Sequence, residues 1–175
     1  MAISYESVAT LNVIIENLRN DGIKTLDLVL EKNAIIGLIV KALDRKKMPC
    51  LTAVVGYLPR NFLRDSLSCF QLNDVHFNPV IKAISMDYVE GLKVLVEQFG
   101  TDILKQTYEH QYSAFLLTAH YLSIQCAMYI ASECPDQILS TDEDNHDAWH
   151  IAMKTGTPGP LKYIDAISNI VLNEK

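Results

Sequence analysis

The sequence predicts an all-α fold in which short helices, arranged in pairs, stack side by side behind an N-terminal cap of helices. The first observation is a recurring segment that begins at Asn78, Ser113 and Asp147, at intervals of 35 and 34 residues. The second is that each copy opens with a residue whose side-chain oxygen can accept from the unpaired amides of a first helical turn. The third is that two short apolar stretches follow each cap. A helix pair repeated at a near-constant interval is typical of repeat proteins, whose units bury their apolar faces against each other.

The residues of each copy predict where its helices begin and end. The first helix begins at residues 79, 114 and 148, and Pro79 suits the first helical position because no amide donor is needed there. In the first copy the second helix is VEGLKVLVEQF, whose apolar residues at i, i+3, i+7 and i+10 share one face and which Gly100 is suited to end. The segments TDILKQTYEHQY and PDQILSTDEDNH lead to the next caps, and their regularity predicts an extended, hairpin-like connection.

This pattern resembles the ankyrin repeat family, which has a T-P-L-H-x-A signature and a period of about 33 residues. The most similar copy is DAWHIA at residues 147–152, with Gly156 at the inter-helix turn and LKYI at 161–164 in the second helix. The copies NPVIKA at 78–83 and SAFLLT at 113–118 have lost the histidine, and a weaker fourth copy, MPCLTA, begins at residue 48. The resemblance covers about residues 48 to 172.

The resemblance implies an ankyrin-like helical repeat solenoid with short hairpin connections. We expect one continuous domain, in which N-terminal capping helices at residues 1–47 precede four degenerate repeats at about 48–77, 78–112, 113–146 and 147–175. The amphipathic segments within residues 1–45 suit a cap that seals the end of a stack, and a badly degraded repeat is the alternative for them.

Composition predicts a folded protein that does not bind nucleic acid or insert into a membrane. A net charge of −6 and a pI near 5.3 disfavour binding to phosphate backbones or anionic lipid, because both require clustered Lys and Arg. The longest apolar run, AIIGLIV at 34–40, is too short to span a bilayer, and no signal peptide is recognised. The 4 cysteines form no C-x-x-C pair, which favours a reducing compartment. We expect a cytoplasmic monomer, or a protein of the host cytosol if it is a secreted bacterial effector.

The stretch DNHDAWHIAMKTG, at residues 144–156, contains the residue types of a metal or acid/base site. The resemblance implies instead that His150 is a buried, bracing residue. His146 and His150 have the i, i+4 spacing of a zinc pair, but His146 precedes the cap and lies outside the helix. No nucleophile elbow, phosphate loop or H-E-x-x-H motif is present in the sequence, and Cys126 fits a core thiol. We therefore predict no enzymatic activity, no metal and no cofactor; the alternative is a hydrolase or metal-binding protein with a site near His146 and His150, supported by His110 and His120.

The resemblance implies that another protein binds on the concave face formed by the hairpin tips and the first helices. Stacking would align Phe77, Tyr112 and His146 as a column of rings, unless these rings only pack between neighbouring hairpins. Acidic residues at the tips suggest a basic or polar partner. The predicted tip positions are Asp74, Val75, Phe77, Glu109, His110, Tyr112, Glu143, Asp144 and His146, and the exposed first-helix positions are Ser85, Met86, His120, Tyr121, Lys154 and Thr155.

Overall fold

The computed structural model describes residues 25–63, 78–108, 111–156 and 159–173, and in these ranges the protein is helical with no strand. This part of the chain confirms the predicted all-α class. The helices are α1 (Thr25–Asp44), α2 (Met48–Gly56), α3 (Pro79–Ser85), α4 (Val89–Phe99), α5 (Ala114–Tyr121), α6 (Ile124–Glu133), α7 (Ala148–Lys154) and α8 (Gly159–Asn173), with 3-10 helices at Thr101–Leu104 and Pro135–Leu139.

The three predicted caps start three of the helices. The Asn78 side chain accepts hydrogen bonds from the amides of Val80 at 2.9 Å and Ile81 at 3.3 Å. Ser113 Oγ accepts from the amide of Leu116 at 3.2 Å, and Asp147 Oδ1 accepts from that of His150 at 3.0 Å. The predicted helix starts at 79, 114 and 148 are therefore confirmed, because each cap satisfies amides that have no partner within the helix.

The two helices of each of the first three pairs are joined by the same turn. In the first three pairs the residue two positions before the second helix has a left-handed backbone, and Gly156 has one after α7 in the fourth pair. Only glycine adopts this backbone without steric cost. A backbone hydrogen bond closes the turn in the first three pairs, from Lys47 to Ala42 at 2.9 Å, Tyr88 to Ala83 at 2.9 Å and Ser123 to Thr118 at 2.8 Å. The left-handed residues are Lys46 (φ 49°), Asp87 (φ 45°), Leu122 (φ 56°) and Gly156 (φ 91°).

The helix pairs pack side by side in two layers. The first helices of the pairs are α1, α3, α5 and α7, and each packs against the next one along the chain. The second helices α2, α4, α6 and α8 do the same in the other layer, and each second helix also contacts the first helix of its own pair. The core lies between the layers, where residues such as Phe115, Leu92, Leu95 and Tyr163 are almost completely buried.

The helix Met48–Gly56 lies in a different layer from the one that the sequence predicts. The weak fourth copy treats residue 48 as the start of a first helix, but α2 packs against α4 and so lies in the layer of second helices. The first helix of that pair is α1, within the segment predicted as a cap. Pro49 explains the difference, because a proline in the first turn marks the start of a helix without indicating which helix of a pair it is. The division of the chain into four repeats stays a prediction.

The connections after α4 and α6 each contain a 3-10 helix that the sequence pattern did not predict. Gly100, with φ 85°, follows α4 as predicted, and its amide donates to the carbonyl of Val96 at 2.8 Å. After each 3-10 helix the chain forms a loop that one backbone hydrogen bond closes. The bonds run from Tyr108 to Tyr112 at 2.9 Å and from Asp142 to His146 at 3.0 Å. Both donors and both acceptors are 34 residues apart, so the two loops correspond.

Polar side chains join neighbouring units. The Asp87 carboxylate, in the turn between α3 and α4, accepts from the amides of Gln125 at 3.2 Å and Cys126 at 2.9 Å, in the first turn of α6. Gln137, in the second 3-10 helix, donates from Nε2 to the carbonyl of Leu104 at 2.8 Å in the connection before it. These bonds cross from one unit to the next and fix how successive helix pairs sit against each other.

Candidate functional site

The predicted binding residues fall into described and undescribed parts of the chain. Tyr112, His120 and Tyr121 form one cluster, which we call the aromatic group. Residues 142–147 form the second, which we call the acidic loop; it contains Glu143, Asp144 and His146 and lies beside Lys154. The predicted residues Asp74, Val75, Phe77, Glu109 and His110 lie outside the described residues.

The remaining predicted positions, at the ends of α3 and α7, are engaged within their own helices. Ser85 Oγ donates to the carbonyl of Lys82 at 3.0 Å, and Thr155 Oγ1 donates to that of Ala152 at 2.8 Å. Met86 is half-buried and packs against the core. These three side chains therefore have fewer exposed groups available to a partner than the aromatic group and the acidic loop have.

The aromatic group is a set of three rings at the end of α5 and in the loop before it. The rings of Tyr112 and His120 have centroids 6.0 Å apart, and those of His120 and Tyr121 are 4.8 Å apart in an edge-to-face arrangement. His120 is exposed, whereas both tyrosines are half-buried against the core. The ring contacts therefore link Tyr112 to the end of α5. Tyr112 thus contacts the ring of His120, whereas the predicted column places it between Phe77 and His146. Phe77 lies outside the described residues.

Asp142 holds the acidic loop in shape. Its carboxylate accepts from the amides of Asp144 at 3.0 Å and His146 at 2.7 Å, and its Oδ2 lies 3.1 Å from Nδ1 of His146. Burial raises the pKa of this carboxyl, but the hydrogen bonds from His146 and Asp144 outweigh burial and leave the pKa below its usual value. Asp142 is not among the residues that the sequence predicts for the site. Its signal is an aspartate at the start of a turn that contains Asn145, since aspartate accepts from amides further along such turns.

The rings of His146 and His150 have centroids 5.9 Å apart, and each histidine also lies beside an aspartate of its own. His146 is half-buried, and Lys154 Nζ lies 3.2 Å from its Nδ1. The side chain of His150 is 65% exposed, so the prediction that it is buried is wrong. It does interact locally, since its Nδ1 lies 2.8 Å from Oδ1 of Asp147. The reason for its exposure is that His150 projects from a side of α7 that the neighbouring helices α5 and α8 do not cover.

Asp142, Asp144 and His146 place one potential metal ligand each within 4.8 Å of one another. The arrangement already has a structural use, because the Asp142 carboxylate accepts two backbone amides and lies against the His146 ring. The ammonium group of Lys154 beside the same ring adds a positive charge that disfavours a second cation there. Clusters of exposed acidic residues are also common without an ion. The geometry favours a braced loop over a metal centre.

The acidic loop and the aromatic group lie close enough to interact electrostatically. Partial burial raises the pKa of Tyr112, and the negative charges of Asp142, Asp144 and Glu143 raise it further. These carboxylates belong to the loop that follows α6, whereas Tyr112 lies in the corresponding loop before α5. Ser113 Oγ also lies 2.7 Å from Ser140 Oγ, so the residues next to Tyr112 contact the segment that leads into the acidic loop.

The cysteines of the described residues are free thiols. Cys126 is completely buried in α6, and its Sγ lies 3.8 Å from the carbonyl oxygen of Ala83. Burial raises the pKa of its thiol, and the nearby Asp87 raises it further, so the thiol stays protonated and is a poor nucleophile. The prediction that Cys126 is a core thiol is confirmed.

Comparison with known proteins adds no family assignment. No protein-family model matches the chain, and no curated protein or solved structure shows significant similarity to it. None of the helices in the described ranges combines the length and apolar character needed to cross a bilayer.

Proposed function

We propose that this protein is a non-enzymatic, ankyrin-like repeat module that binds a partner protein on the face formed by its inter-unit loops and first helices. The observation that carries the proposal is the recurrence of one local geometry. The same cap and the same inter-helix turn return along the chain, and the two described loops are closed by corresponding hydrogen bonds. Such recurrence supports a solenoid, in which equivalent positions line up and form an extended recognition surface.

The residue types on this face support protein binding. Tyr112 and Tyr121 are held half-buried by the core, so a partner would immobilise few additional rotamers when it covers their remaining surface. The Asp142 carboxylate of the acidic loop is engaged in bracing the loop backbone, which favours a rigid surface over a reaction centre. We further propose that the protein acts as a cytoplasmic monomer, as a scaffold or as an effector in a host cytosol.

The test is a pair of matched variants in the full-length chain. Partners are first captured from a eukaryotic lysate and identified, and the affinity of each purified partner is then measured by calorimetry. Y112A/Y121A is expected to weaken binding by at least tenfold, or about 1.4 kcal/mol, because it removes two anchors of the face. Y57A is the control, since Tyr57 is 47% exposed and lies at the end of α2, in the other layer.

Two results would count against the proposal. One is a Y112A/Y121A variant that binds every identified partner as tightly as the wild type does. The other is a fall in the melting temperature of Y112A/Y121A that is large enough to show that the two rings are core residues. The emission of the lone Trp149, which is half-buried against the core, adds an independent check. A blue-shifted emission that zinc does not alter is expected, and a metal-dependent shift would favour the hydrolase or metal-binding alternative near His146 and His150.

A further inference from the structure

We propose that the outer side of the last described helix pair, α7 and α8, binds an amphipathic helix of another protein. We call this side the end face, and its exposed residues are His150 and Met153 on α7 and Leu161 on α8. The inference is independent of the proposed binding face, because it concerns a different set of side chains. It arises from equivalent positions that are buried in two helix pairs and exposed in the next.

The first helices provide the first comparison. Ile84 in α3 and Ala119 in α5 are completely buried, and each of these helices has a neighbour on both sides in its layer. Met153 stands at the equivalent position of α7, after intervals of 35 and 34 residues, and is 55% exposed. The side chain of His150, one turn earlier, is 65% exposed. Its buried equivalents are Ile81 and Leu116.

The second helices give the same result. Leu92 in α4 and Ala127 in α6 are completely buried, whereas Leu161, at the same intervals along the chain, is 65% exposed. The described helices that pack closely against α7 and α8 from other pairs are α5 and α6, which lie on one side of the last pair. The positions that face the next pair in the earlier units are therefore open to solvent in this one.

The side chains of the end face are of the type that binds other proteins. Stacks of helix pairs usually end in a unit with a polar outer surface, but Met153 and Leu161 are large and apolar. Trp149 and Ile164, on the same two helices, are half-buried and add to the apolar area. The exposed polar residues that border them are His150 and Asp165. An apolar area with a polar rim is typical of an interaction site.

The faces that are already covered show which kind of segment fits. On α5 and α6 the covering segment consists of α7 and α8. In α8, Tyr163 and Ile167 are buried four residues apart, so they lie on the one side of the helix that faces the stack. A helix with apolar residues at this spacing would cover Met153 and Leu161 in the same manner. The contact between successive helix pairs would thereby continue from this chain to its partner.

The experiment measures the fluorescence anisotropy of a labelled helical peptide that is titrated with the full-length protein. The peptide has about 20 residues of Leu, Ala, Glu and Lys with no net charge, and its leucines recur at i, i+3, i+4 and i+7. The wild type is expected to bind it with an affinity that changes little between low and high salt, because salt does not screen an apolar contact. A peptide of the same composition, whose leucines are spread around the helix, should not bind.

Matched variants locate the bound peptide. M153E/L161E is expected to lose about tenfold or more in affinity, with an unchanged melting temperature because both side chains are exposed. M128E/L139E is the control, since Met128 in α6 and Leu139 in the second 3-10 helix are 50% and 81% exposed and lie off the end face. This variant and Y112A/Y121A should bind the peptide as the wild type does.

Four outcomes of the titrations would overturn the inference. They are failure of the wild type to bind either peptide, equal affinities for the two peptides, equal affinities of M153E/L161E and M128E/L139E, and loss of binding in Y112A/Y121A, which would place the peptide on the loop face instead. Light scattering of the full-length protein tests the other occupant. Dimers that form in the wild type and not in M153E/L161E would show that a second copy, and not a partner helix, covers the end face.

Discussion

Single residues decide the shape of the acidic loop, and Asp142 is the most informative of them. One buried carboxylate accepts from two amides and lies against the ring of His146, so two backbone amides and one ring of the loop are held by one side chain. Because these bonds favour the charged form, the unfolded chain binds a proton at Asp142 more readily than the folded chain does. The residue therefore couples the loop to pH.

We expect D142N to cost about 1–3 kcal/mol of stability at neutral pH, because an amide replaces an acceptor-only group that several donors face. The Asp142 contribution is fully present above the unfolded-state pKa of about 3.9 and is lost as pH falls through the lower, folded-state pKa. Urea unfolding of the wild type and D142N at neutral and acidic pH measures both effects. D144N is the control, and equal stability of the two variants would show that Asp142 does not brace the loop.

The sequence pattern predicted the roles of some residues of the site but not of others. The caps Asn78, Ser113 and Asp147 could be recognised because a cap acts on amides two or three residues away. The exposure of His150 could not be recognised, because it depends on which helices cover each side of α7. The role of Asp142 was also missed, since an aspartate in an acidic run looks like a solvated charge until the path of the loop is known.

At the scale of helices, the contact between α1 and α4 depends on a residue with no side chain. A Cβ at Gly91 would lie 2.6 Å from Leu43 Cδ2 and 2.6 Å from Tyr88 Cδ1. Leu43 is completely buried, so it has little room to move. Gly91 therefore allows a helix of one unit to approach the preceding unit closely.

We expect G91A to destabilise the protein, because overpacking costs about 1–3 kcal/mol and outweighs a helix-propensity gain of about 1 kcal/mol. G37A is the matched control in α1, where a Cβ would meet no atom within 4 Å, and it should be neutral or stabilising by up to about 1 kcal/mol. Chemical denaturation of both variants gives the comparison. A G91A protein as stable as G37A would mean that Leu43 and Tyr88 move aside at no cost.

Helices were easier to predict than their places in the stack. The starts of α3, α5 and α7 followed from caps, and the 3.6-residue period of α4 followed from its apolar residues. The shared turn did not follow, because Lys46 and Leu122 are residue types that rarely adopt a left-handed backbone and so do not signal one. For the same reason α2 was assigned to the wrong layer: the turn that precedes it could not be recognised in the sequence.

At the scale of the whole molecule, α1 packs in the layer of first helices as the later first helices do. Its residues Ile36, Ile39 and Leu43 are buried, and it packs against both α2 and α3. Removal of the chain before residue 48 would expose these contacts on α2 and α3 to water.

We therefore expect a fragment of residues 48–175 to aggregate or to lose cooperative unfolding, whereas the full-length chain remains monomeric and unfolds in one transition. Size-exclusion chromatography with light scattering and a thermal melt followed by circular dichroism would measure this. A soluble, monomeric fragment with a single sharp transition would show that α1 is dispensable for the stack.

The position of Asp87 has a practical consequence for anyone who wants to lengthen, shorten or exchange parts of this protein. Its carboxylate sits in one helix pair and completes the first turn of a helix in the next pair. These hydrogen bonds therefore link two helix pairs. A chimera joined at that turn would separate the Asp87 carboxylate from the amides that donate to it. A splice point in the connection after α6 would keep Asp87 together with the amides of Gln125 and Cys126, whereas one in the connection after α4 would separate them.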